Sequence, residues 1–410
     1  MTGKRKIQAF ALLAHLLGCG AAPTPVPTTP ESPPSSPPDV ASAALPFAVL
    51  MGRGGSEVPI DRCYQELFGA RVVCIGEEHP NPHHHWAQLR LLDELSQRQK
   101  AAGIEGALGL EMIQRPFQGV LDDYASGKID EETLLARVGW KTRWGFDFAL
   151  YRPMLRLARE RGLALLALNA VKELTRKVSR KGIDALTEAE RAQLPEIDLE
   201  DDEHRAWFFG LMEAMGGAGA HGDKKTRTEA DKAAAEARAA AAAARAQRVY
   251  AAQVLWDETM AETAANWLAG GESRQVIILA GGGHCHASGI IRRLKRRGVS
   301  PALSVQPVVD DGEGNVADLL AEQKNDYLFV MKGESTAGEE TAAPQGAAPP
   351  KPPHPMPPRH PDGGEETRPP HPTPPHPAPR HPDGAESPRP PHPMPRHPDG
   401  GEEAASPRDE

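Results

Sequence analysis

The chain has 410 residues, 41 of them proline, and a formal net charge of -9 at pH 7. Because the prolines cluster toward the two ends, only residues 46–335 have the composition of a packed domain. Residues 336–410 hold 12 acidic and 7 basic residues, so the domain itself is only mildly acidic. No basic face stands out, which argues against a nucleic-acid partner.

The N-terminus has the pattern of an export signal. Basic residues at 4–6 precede a mostly apolar run at 7–17, which is too short to span a bilayer as a mature helix. The sequence Leu-Leu-Gly-Cys then ends at Cys19, as in bacterial lipoproteins. It predicts a signal peptide at 1–18, a lipidated Cys19 and a membrane attachment through buried lipid methylenes. Gly20 favours an outer-membrane destination in the cell envelope, whereas a plain secretory signal with an incidental cysteine is the alternative.

Low-complexity segments flank the domain. Residues 19–45 are rich in Pro, Ser, Thr and Ala and cannot bury enough apolar area to fold, which predicts a disordered tether. Residues 336–410 repeat Arg-His-Pro-Asp-Gly, starting at Arg359, Arg380 and Arg396. Proline fixes φ and lacks an N–H group, so an extended disordered tail is expected. Its seven histidines could bind metal weakly, but a solvated spacer is the simpler interpretation.

Within the domain, apolar runs alternate with helical patterns. Buried strands are predicted at 71–76, 107–112, 163–169, 276–281, 303–309 and 326–331. Helices are predicted at 83–102, at 116–138, at 148–161 and in an insert at about 185–268, which includes an Ala-rich segment at 230–248. This alternation predicts an α/β fold, with a largely parallel sheet flanked by helices and a smaller helical sub-domain.

Besides Cys19, the chain contains Cys63, Cys74 and Cys285. They show no CxxC spacing, so a zinc ribbon is not expected. An oxidising compartment allows one disulfide, and the sequence leaves the pair open. Cys74 lies in a predicted strand and is interpreted as a small buried residue.

Charged and imidazole side chains follow several predicted strands. The first strand runs into Glu77-Glu78-His79, the second ends near Glu111, and the fourth leads through three glycines to His284. Ligands collect where the carboxyl ends of parallel strands meet, so we expect these residues to share one rim. Buried carboxylates there need a cation or hydrogen bonds, and carboxylate with imidazole suits Mn, Fe, Co or Zn. The predicted metal ligands are Glu77, His79, Glu111 and His284.

Two questions about this rim stay open at the level of sequence. Either Glu77 or Glu78 can face the pocket. Glu111 can instead be a buried partner of Arg115 or Arg152.

Two predicted helices add polar residues at i, i+4 spacing. His84 and Gln88 share one face of the helix after the first strand, and only one of the adjacent histidines is expected to face the site. Gln253 and Asp257 share a face of the long helix. The neighbouring stripe of Trp256, Met260 and Trp267 is expected to be ordinary core. The basic residues at 292–297 are expected to compensate a helix dipole and to aid solubility.

Six segments together resemble the ChaN-like haem-binding uptake family, within the wider Tiki/TraB/erythromycin-esterase superfamily. They are residues 76–92, 110–127, 144–159, 166–170, 252–261 and 280–290. The resemblance implies a parallel α/β sheet with a smaller helical part, and haem binding or iron uptake. Carried over by motif, it implies site residues Glu77, His79, Glu111 and His284, and cofactor-binding candidates His84, Gln88, Arg152, Asn169, Gln253 and Asp257. The Ala-rich segment, Cys285 and the tail depart from the family pattern.

Two functions are therefore carried forward. The first is a cell-envelope lipoprotein that binds haem or a metal ion at this rim. Haem needs an axial ligand, an apolar slot and cations for its propionates. Candidates for the axial ligand are Tyr124, Tyr151, Tyr250, His84 and His286. Candidates for the slot are Trp144, Trp256, Phe117 and Met260, and Arg143 or Arg152 is the candidate propionate partner.

The alternative is a metal-dependent peptidase or esterase. In it, Glu77 or Glu111 acts as general base on a metal-bound water that His79 and His284 help to hold. A binding module whose enzymatic site has decayed is a third interpretation. Each of these interpretations leaves a homodimer open.

Overall fold

Eight strands form one mixed sheet in the computed structural model, which describes residues 39–216 and 229–333. The strand order is β2-β1-β8-β7-β3-β6-β4-β5. The strands are β1 (Phe47–Met51), β2 (Glu57–Val58), β3 (Val72–Ile75), β4 (Glu105–Gln114), β5 (Ala164–Asn169), β6 (Arg274–Leu279), β7 (Ala302–Asp310) and β8 (Tyr327–Lys332). The six strands from β8 to β5 run parallel, and β1 and β2 add an antiparallel edge. The predicted α/β fold with a largely parallel sheet is confirmed.

Helices connect the parallel strands and cover both faces of the sheet. They are α1 (Ile60–Phe68), α2 (Pro82–Ala102), α3 (Gln118–Ala125), α4 (Glu131–Val138), α5 (Trp140–Arg143), α6 (Arg152–Arg161), α7 (Lys172–Lys181), α8 (Glu188–Arg191), α9 (Asp202–Gly216), α10 (Glu229–Leu268), α11 (Ile290–Arg296) and α12 (Asn315–Glu322). In the described part of the chain, none of these helices is long and apolar enough to cross a bilayer.

Alternate residues of the central strands point to opposite faces, because successive side chains of a strand alternate. Val73 and Ile75 of β3 join the larger apolar core, which also contains residues of α1, α2 and α6. Val72 and Cys74 point the other way, into a core shared with α10 and α11. Both faces are therefore buried, which explains why β3 appears in the sequence as a continuous apolar run.

The start of α2 is fixed by local chemistry. The Asn81 side chain accepts hydrogen bonds from the backbone N–H groups of His83 and His84, at 3.1 and 3.4 Å. Pro82 occupies the first helical position, where its missing N–H costs nothing. This cap directs the first turn of α2, with its three histidines, toward the end of β3.

Sequence reasoning missed some elements and joined others. The helical stretch predicted at 116–138 is two helices, because α3 ends at Ala125 and Asp130 caps the new helix α4. The edge strands β1 and β2 and the helices α1, α7 and α12 were not predicted. In the Ala-rich start of α10 most residues are exposed, and continuous burial begins near Val249, as expected. The signal peptide, most of the tether and the tail lie outside the described residues.

Candidate functional site

The sheet order brings the predicted rim together. Glu77 and His79 follow β3, Glu111 lies near the end of β4, and His284 follows β6. Strand β6 lies between β3 and β4, so three neighbouring strands deliver these four side chains to one edge. All four are at most 5% exposed. The convergence expected from the parallel topology is therefore observed.

Glu77 is the buried centre of the first half of the site. Its Oε1 lies 2.7 Å from His79 Nδ1 and also accepts the Tyr151 hydroxyl at 2.8 Å. Its Oε2 accepts the Gln88 side-chain amide at 2.8 Å. Burial alone would raise the pKa of Glu77, but the charge of His85 and the bonds to His79 and Gln88 lower it to about 2. Glu77 is therefore a carboxylate that holds and orients the His79 ring.

The pKa of His79 responds in the opposite sense. Burial lowers it, but the hydrogen bond and the charge of Glu77, together with the charge of Glu111, raise it above the ordinary histidine value. Trp144 and Phe146 pack against the ring, with centroids 4.7 and 4.8 Å away. With Nδ1 held by a carboxylate, Nε2 is the ring atom available to a ligand.

His85 contacts Glu77 and Gln88 from the first turn of α2, and nothing in the sequence indicated this role. Its Nδ1 lies 3.0 Å from the Gln88 side-chain oxygen and 3.6 Å from Glu77 Oε2. Its Nε2 donates to the His79 carbonyl at 2.8 Å. Since both hydrogen-bond partners are oxygen acceptors, the ring is placed to donate from both nitrogens. Adjacent histidines thus both serve the site, because His84 faces the cavity while His85 lies beneath the rim.

His284 repeats the pattern in the second half of the site. Its Nδ1 lies 2.5 Å from Asp257 Oδ1 and 3.1 Å from the Gln253 amide nitrogen. Its Nε2 lies 3.5 Å from Glu111 Oε1. Burial lowers the pKa of His284, whereas Glu111 and Asp257 raise it, and the net shift is upward. Gln253 and Asp257, predicted to share a helix face, therefore act together on one imidazole.

Gly281 lets the two halves approach. Its N–H donates to Glu111 Oε2 at 2.6 Å. A Cβ atom at this position would lie 3.1 Å from His79 Cε1 and 3.6 Å from Glu111 Oε2. The turn after β6 therefore lies close against both residues and leaves little room for a side chain at Gly281, and it places Glu111 between two carboxylate-oriented imidazoles.

A cavity of about 200 Å³ opens beside this rim. Its far walls come from α9, the end of β7 and α12, which add Trp207, Leu211, Pro307, Val308 and Leu319. Among its described lining residues, Lys324 is the one lysine or arginine. Both Glu77 and Glu78 border the cavity, and burial raises the pKa of Glu78. The two acids therefore have different roles. Glu77 orients His79, and Glu78 faces the cavity.

Two further histidines line the cavity. His84 Nδ1 accepts the Glu78 backbone N–H at 3.0 Å, so a neutral His84 ring carries its proton on Nε2. Burial and the charge of His85 lower the pKa of His84 to about 3. His286 packs 4.2 Å from Trp207 between centroids, and burial lowers its pKa well below the ordinary value. His84 and His286 are therefore neutral imidazoles in a wall that also contains apolar side chains, carboxylates and Lys324.

Several predicted residues lie elsewhere. Arg152 bonds Glu131 at 2.7 Å and Arg143 bonds Gln114 at 2.9 Å, so neither faces the cavity. Asn169 donates to the Glu111 carbonyl at 2.7 Å, which supports the end of β4 without lining the cavity. The proposed ion pair between Glu111 and Arg115 or Arg152 is wrong, because Arg115 pairs with Glu262.

The other residues predicted to bind haem or to line its slot lie in different parts of the domain. Tyr124 packs under Arg159 and Tyr250 packs against Phe208, away from the cavity. Tyr151 is fully buried and bonds Glu77. Met260 belongs to the core, as expected, and Trp256 packs with its ring centroid 5.9 Å from that of His284. Phe117 lies under the Arg143 guanidinium.

The basic end of α11 was expected to compensate a helix dipole and aid solubility, and most of its arginines also form ion pairs. Arg293 is 1% exposed and donates to the Ser288 and Gly289 carbonyls and to His204 Nδ1. His204 Nε2 lies 3.4 Å from Asp257 Oδ2, behind His284. Arg296 and Arg297 bond Glu258 at 2.5 and 2.6 Å. These arginines attach α11 to α10 through buried carboxylates, and sequence spacing alone gave no signal for it.

The cysteine pair left open by the sequence is Cys74–Cys285, with Cα atoms 5.4 Å apart. Cys74 is therefore a bonded cysteine rather than merely a small buried residue. Cys63 is free and buried, and burial raises its pKa to about 12.

Between residues 39 and 216 and between 229 and 333, no group of three His, Cys, Asp or Glu side chains is arranged to hold a metal ion. The four predicted ligands instead form two pairs, His79 with Glu77 and His284 with Glu111, and His284 also contacts Asp257.

Comparisons with known proteins agree with this architecture. The chain matches the family described as haem-binding uptake, Tiki superfamily, ChaN over residues 63–294, which is more than half of its length. It is similar to ChaN of Campylobacter jejuni, a solved structure described as showing cofacial haem binding, with 17% identity and a TM-score of 0.50. That match covers 70% of this chain and 97% of the other and shows the fold.

Two more distant similarities complete the comparison. The chain is 29% identical over 134 residues to the chloroplastic protein RETICULATA-RELATED 5 of Arabidopsis thaliana. The match covers 32% of this chain and 18% of the plant protein, so the chain spans less than a fifth of that relative. A mutant of erythromycin esterase EreC in its open conformation is 14% identical, with a TM-score of 0.35, covering 64% of this chain and 77% of the other. That score is too low to carry an argument about activity.

Proposed function

Because the chain belongs to the haem-binding uptake family ChaN of the Tiki superfamily, we propose that it binds haem at the cavity beside His79. A haem site needs an axial ligand, apolar surface and a cation for the propionates. The cavity supplies each of these from residues that the sheet and its flanking helices bring together. The observation that carries the proposal is the carboxylate-held imidazole of His79 at the cavity wall.

His79 fits the axial position better than its neighbours. A carboxylate on Nδ1 fixes the tautomer and increases the basicity of Nε2, as in metal-ligating histidines generally. Glu77 provides that bond at 2.7 Å. In His84 the accepting atom is Nδ1, so Nε2 bears the proton, and both ring nitrogens of His286 already have partners. When bound, haem would supply an iron atom for such a ligand.

The size of the cavity sets how much of the haem is enclosed. About 200 Å³ is below the range of roughly 300 to 1,000 Å³ that encloses a typical small molecule. Haem would therefore be only partly enclosed, and Trp207 and Leu211 would supply apolar contacts to it. Lys324 is the lining cation for a propionate, in place of Arg143 and Arg152.

The test is a haemin titration of the full chain, followed by Soret absorbance, with metal analysis of the same sample. We expect a saturable Soret shift whose dissociation constant rises at least about tenfold in His79→Ala. The matched control is His83→Ala, since His83 lies four residues further on, in the first turn of α2, and bonds the Ala43 carbonyl rather than lining the cavity. Equal binding by His79→Ala and the wild type would rule out this site.

Hydrolysis is the second candidate, favoured by the two carboxylate–imidazole pairs that face Glu111. In this function His79 takes a proton from water while Glu77 stabilises the resulting imidazolium. The described residues give the metal-dependent form no three-ligand site. Assays with ester and peptide substrates, run with and without a chelator, distinguish metal-dependent hydrolysis from imidazole-based hydrolysis. Turnover that disappears in His79→Ala but survives chelation would identify an imidazole-based hydrolase.

We also propose that the protein is exported and anchored in the cell envelope through lipidated Cys19. The buried Cys74–Cys285 disulfide supports export, because structural disulfides persist in oxidising compartments. The Cys19→Ala substitution should move the protein from the membrane to the soluble fraction, which cell fractionation measures. An unchanged membrane fraction would exclude the lipid anchor.

A further inference from the structure

The Cys74–Cys285 disulfide connects the two halves of the site. Cys74 lies in β3, three residues before Glu77, and Cys285 directly follows His284. We propose that this disulfide positions His284, and that its reduction by a dithiol releases the His284 turn and weakens ligand binding. The binding part rests on the proposed function, whereas the positioning part stands on geometry alone.

One end of the link lies in a strand and the other lies in a turn. All four residues of β3 are fully buried, and the strand is paired on both sides, with β6 and β7. Residues 280–289 form turns and bends without helix or strand. Their first part is Ala-Gly-Gly-Gly, and glycine gives the backbone the greatest conformational freedom. The disulfide therefore forms a covalent link between a glycine-rich turn and the central strand.

Several hydrogen bonds also hold this turn, among them those from Gly281 N–H to Glu111, from Arg293 to the Ser288 and Gly289 carbonyls, and from Ala287 N–H to the Lys324 carbonyl. Gly282 N–H donates to the Glu77 carbonyl at 2.9 Å, and the Asn325 side chain donates to the Cys285 carbonyl at 2.8 Å. His284 depends on such restraint, because its Nδ1 lies 2.5 Å from Asp257 and its Nε2 lies 3.5 Å from Glu111. A displacement of about 1 Å is enough to disrupt a site built on such distances.

Because the sulfur atoms are packed inside a core, reduction of the disulfide should displace part of the surrounding backbone. Both cysteines are 0% exposed and belong to the core that contains Met260 and Ile290. Two thiols need more room than a bonded pair, because non-bonded sulfur atoms cannot approach to bonding distance. A close-packed core has no space for them. The turn, which is the less restrained side, is therefore the part that shifts.

The redox step is ordinary thiol–disulfide exchange. A thiolate of the dithiol attacks one sulfur and forms a mixed disulfide, releasing the other cysteine as a thiolate that takes up a proton. The second thiol of the reagent then closes its own disulfide and frees the remaining cysteine. Two electrons and two protons pass to Cys74 and Cys285. Because both sulfur atoms are buried, this exchange requires local opening of the turn.

The experiment compares amide hydrogen exchange in the oxidised full chain, in the chain treated with dithiothreitol, and in Cys74→Ala/Cys285→Ala. Exchange in residues 280–289 is expected to rise at least about tenfold in the latter two, and by a larger factor than in 105–114 and 152–161. Cys63→Ala is the control, since Cys63 lies in the other core and is not bonded. The haemin dissociation constant of the same samples is expected to rise at least about tenfold.

Two results would overturn the positioning role. In the first, exchange at 280–289 is unchanged although thiol counting shows reduction. In the second, exchange at 280–289 rises by no larger factor than in 105–114 and 152–161, which assigns the disulfide to general stability. A local increase without a Soret response in any sample would refute haem binding and leave the positioning of His284 supported.

Discussion

At the scale of single residues, Glu77 combines full burial with a negative charge. A buried carboxylate is costly unless its oxygens are hydrogen-bonded and its charge is balanced. Here His79, Tyr151 and Gln88 occupy both oxygens, and His85 lies 3.6 Å away. The charge therefore persists, and it determines which nitrogen of His79 faces the cavity.

Replacing Glu77 with glutamine tests this balance through pH. The pKa of Glu77 is about 2 in the folded chain and near 4.3 in an unfolded one. Its ionised form therefore contributes stability that is complete above the unfolded value and is lost as pH falls toward 2. We expect Glu77→Gln to lower the free energy of unfolding by about 3 kcal/mol at pH 6 and by progressively less below pH 4. Urea unfolding at several pH values measures the difference.

The neighbouring acid provides the control. Burial raises the pKa of Glu78, so its charge is unfavourable in the folded state. Glu78→Gln should therefore leave stability at pH 6 unchanged or slightly increased. A Glu77→Gln deficit that stays constant between pH 6 and pH 3 would show that packing, rather than the charge of Glu77, is what was lost.

At the scale of elements, the cap of α2 joins local structure to the site. Asn81→Ala removes the acceptor for two backbone N–H groups and should cost about 1 kcal/mol. Asn81→Asp keeps an acceptor there and should retain most of that stability. Thermal unfolding of the two variants compares them. If alanine and aspartate prove equally harmful, the Asn81 side chain acts through something other than capping.

Helix α11 is held by buried charge. Arg293→Met removes the cation that faces Asp257 at 3.7 Å and Glu258 at 3.4 Å, and leaves His204 without its donor. Breaking a buried charge network of this kind should destabilise the fold by about 3 kcal/mol. Lys295→Ala, an exposed position on the same helix, should change stability by less than about 0.5 kcal/mol. Similar effects of the two substitutions on urea unfolding would refute a structural role for Arg293.

At the scale of the whole molecule, the disulfide closes a loop between residues 211 positions apart. Constraining so long a loop lowers the entropy of the unfolded chain, by about 5 kcal/mol in free energy in the chain-entropy model. The urea midpoint should therefore fall when dithiothreitol is added, in the wild type and in Cys63→Ala alike. An unchanged midpoint with fully reduced cysteines would mean that folded-state contacts compensate for the lost link.

Much of the fold and the rim was predictable from the sequence because both follow local or topological rules. Apolar runs such as 276–281 identify strands by composition, and parallel strands bring their carboxyl ends to one edge. Those two rules suffice to bring Glu77, His79, Glu111 and His284 together. The i, i+4 spacing of Gln253 and Asp257 likewise predicted their shared face.

Only the tertiary structure decided which partners these residues have. His85 and Arg293 are internal to helices and gave no spacing signal, yet one lies against Glu77 and the other faces Asp257. Arg152 fell within a matched motif, but its guanidinium bonds Glu131. The pairing of Cys74 with Cys285 depends on how a turn after β6 lies against β3, far away in sequence. The sequence by itself determined the strands and the rim, because those follow from local composition and sheet topology. Only the structure decided the pairing of charges, imidazoles and sulfur atoms, because each depends on how separate elements pack.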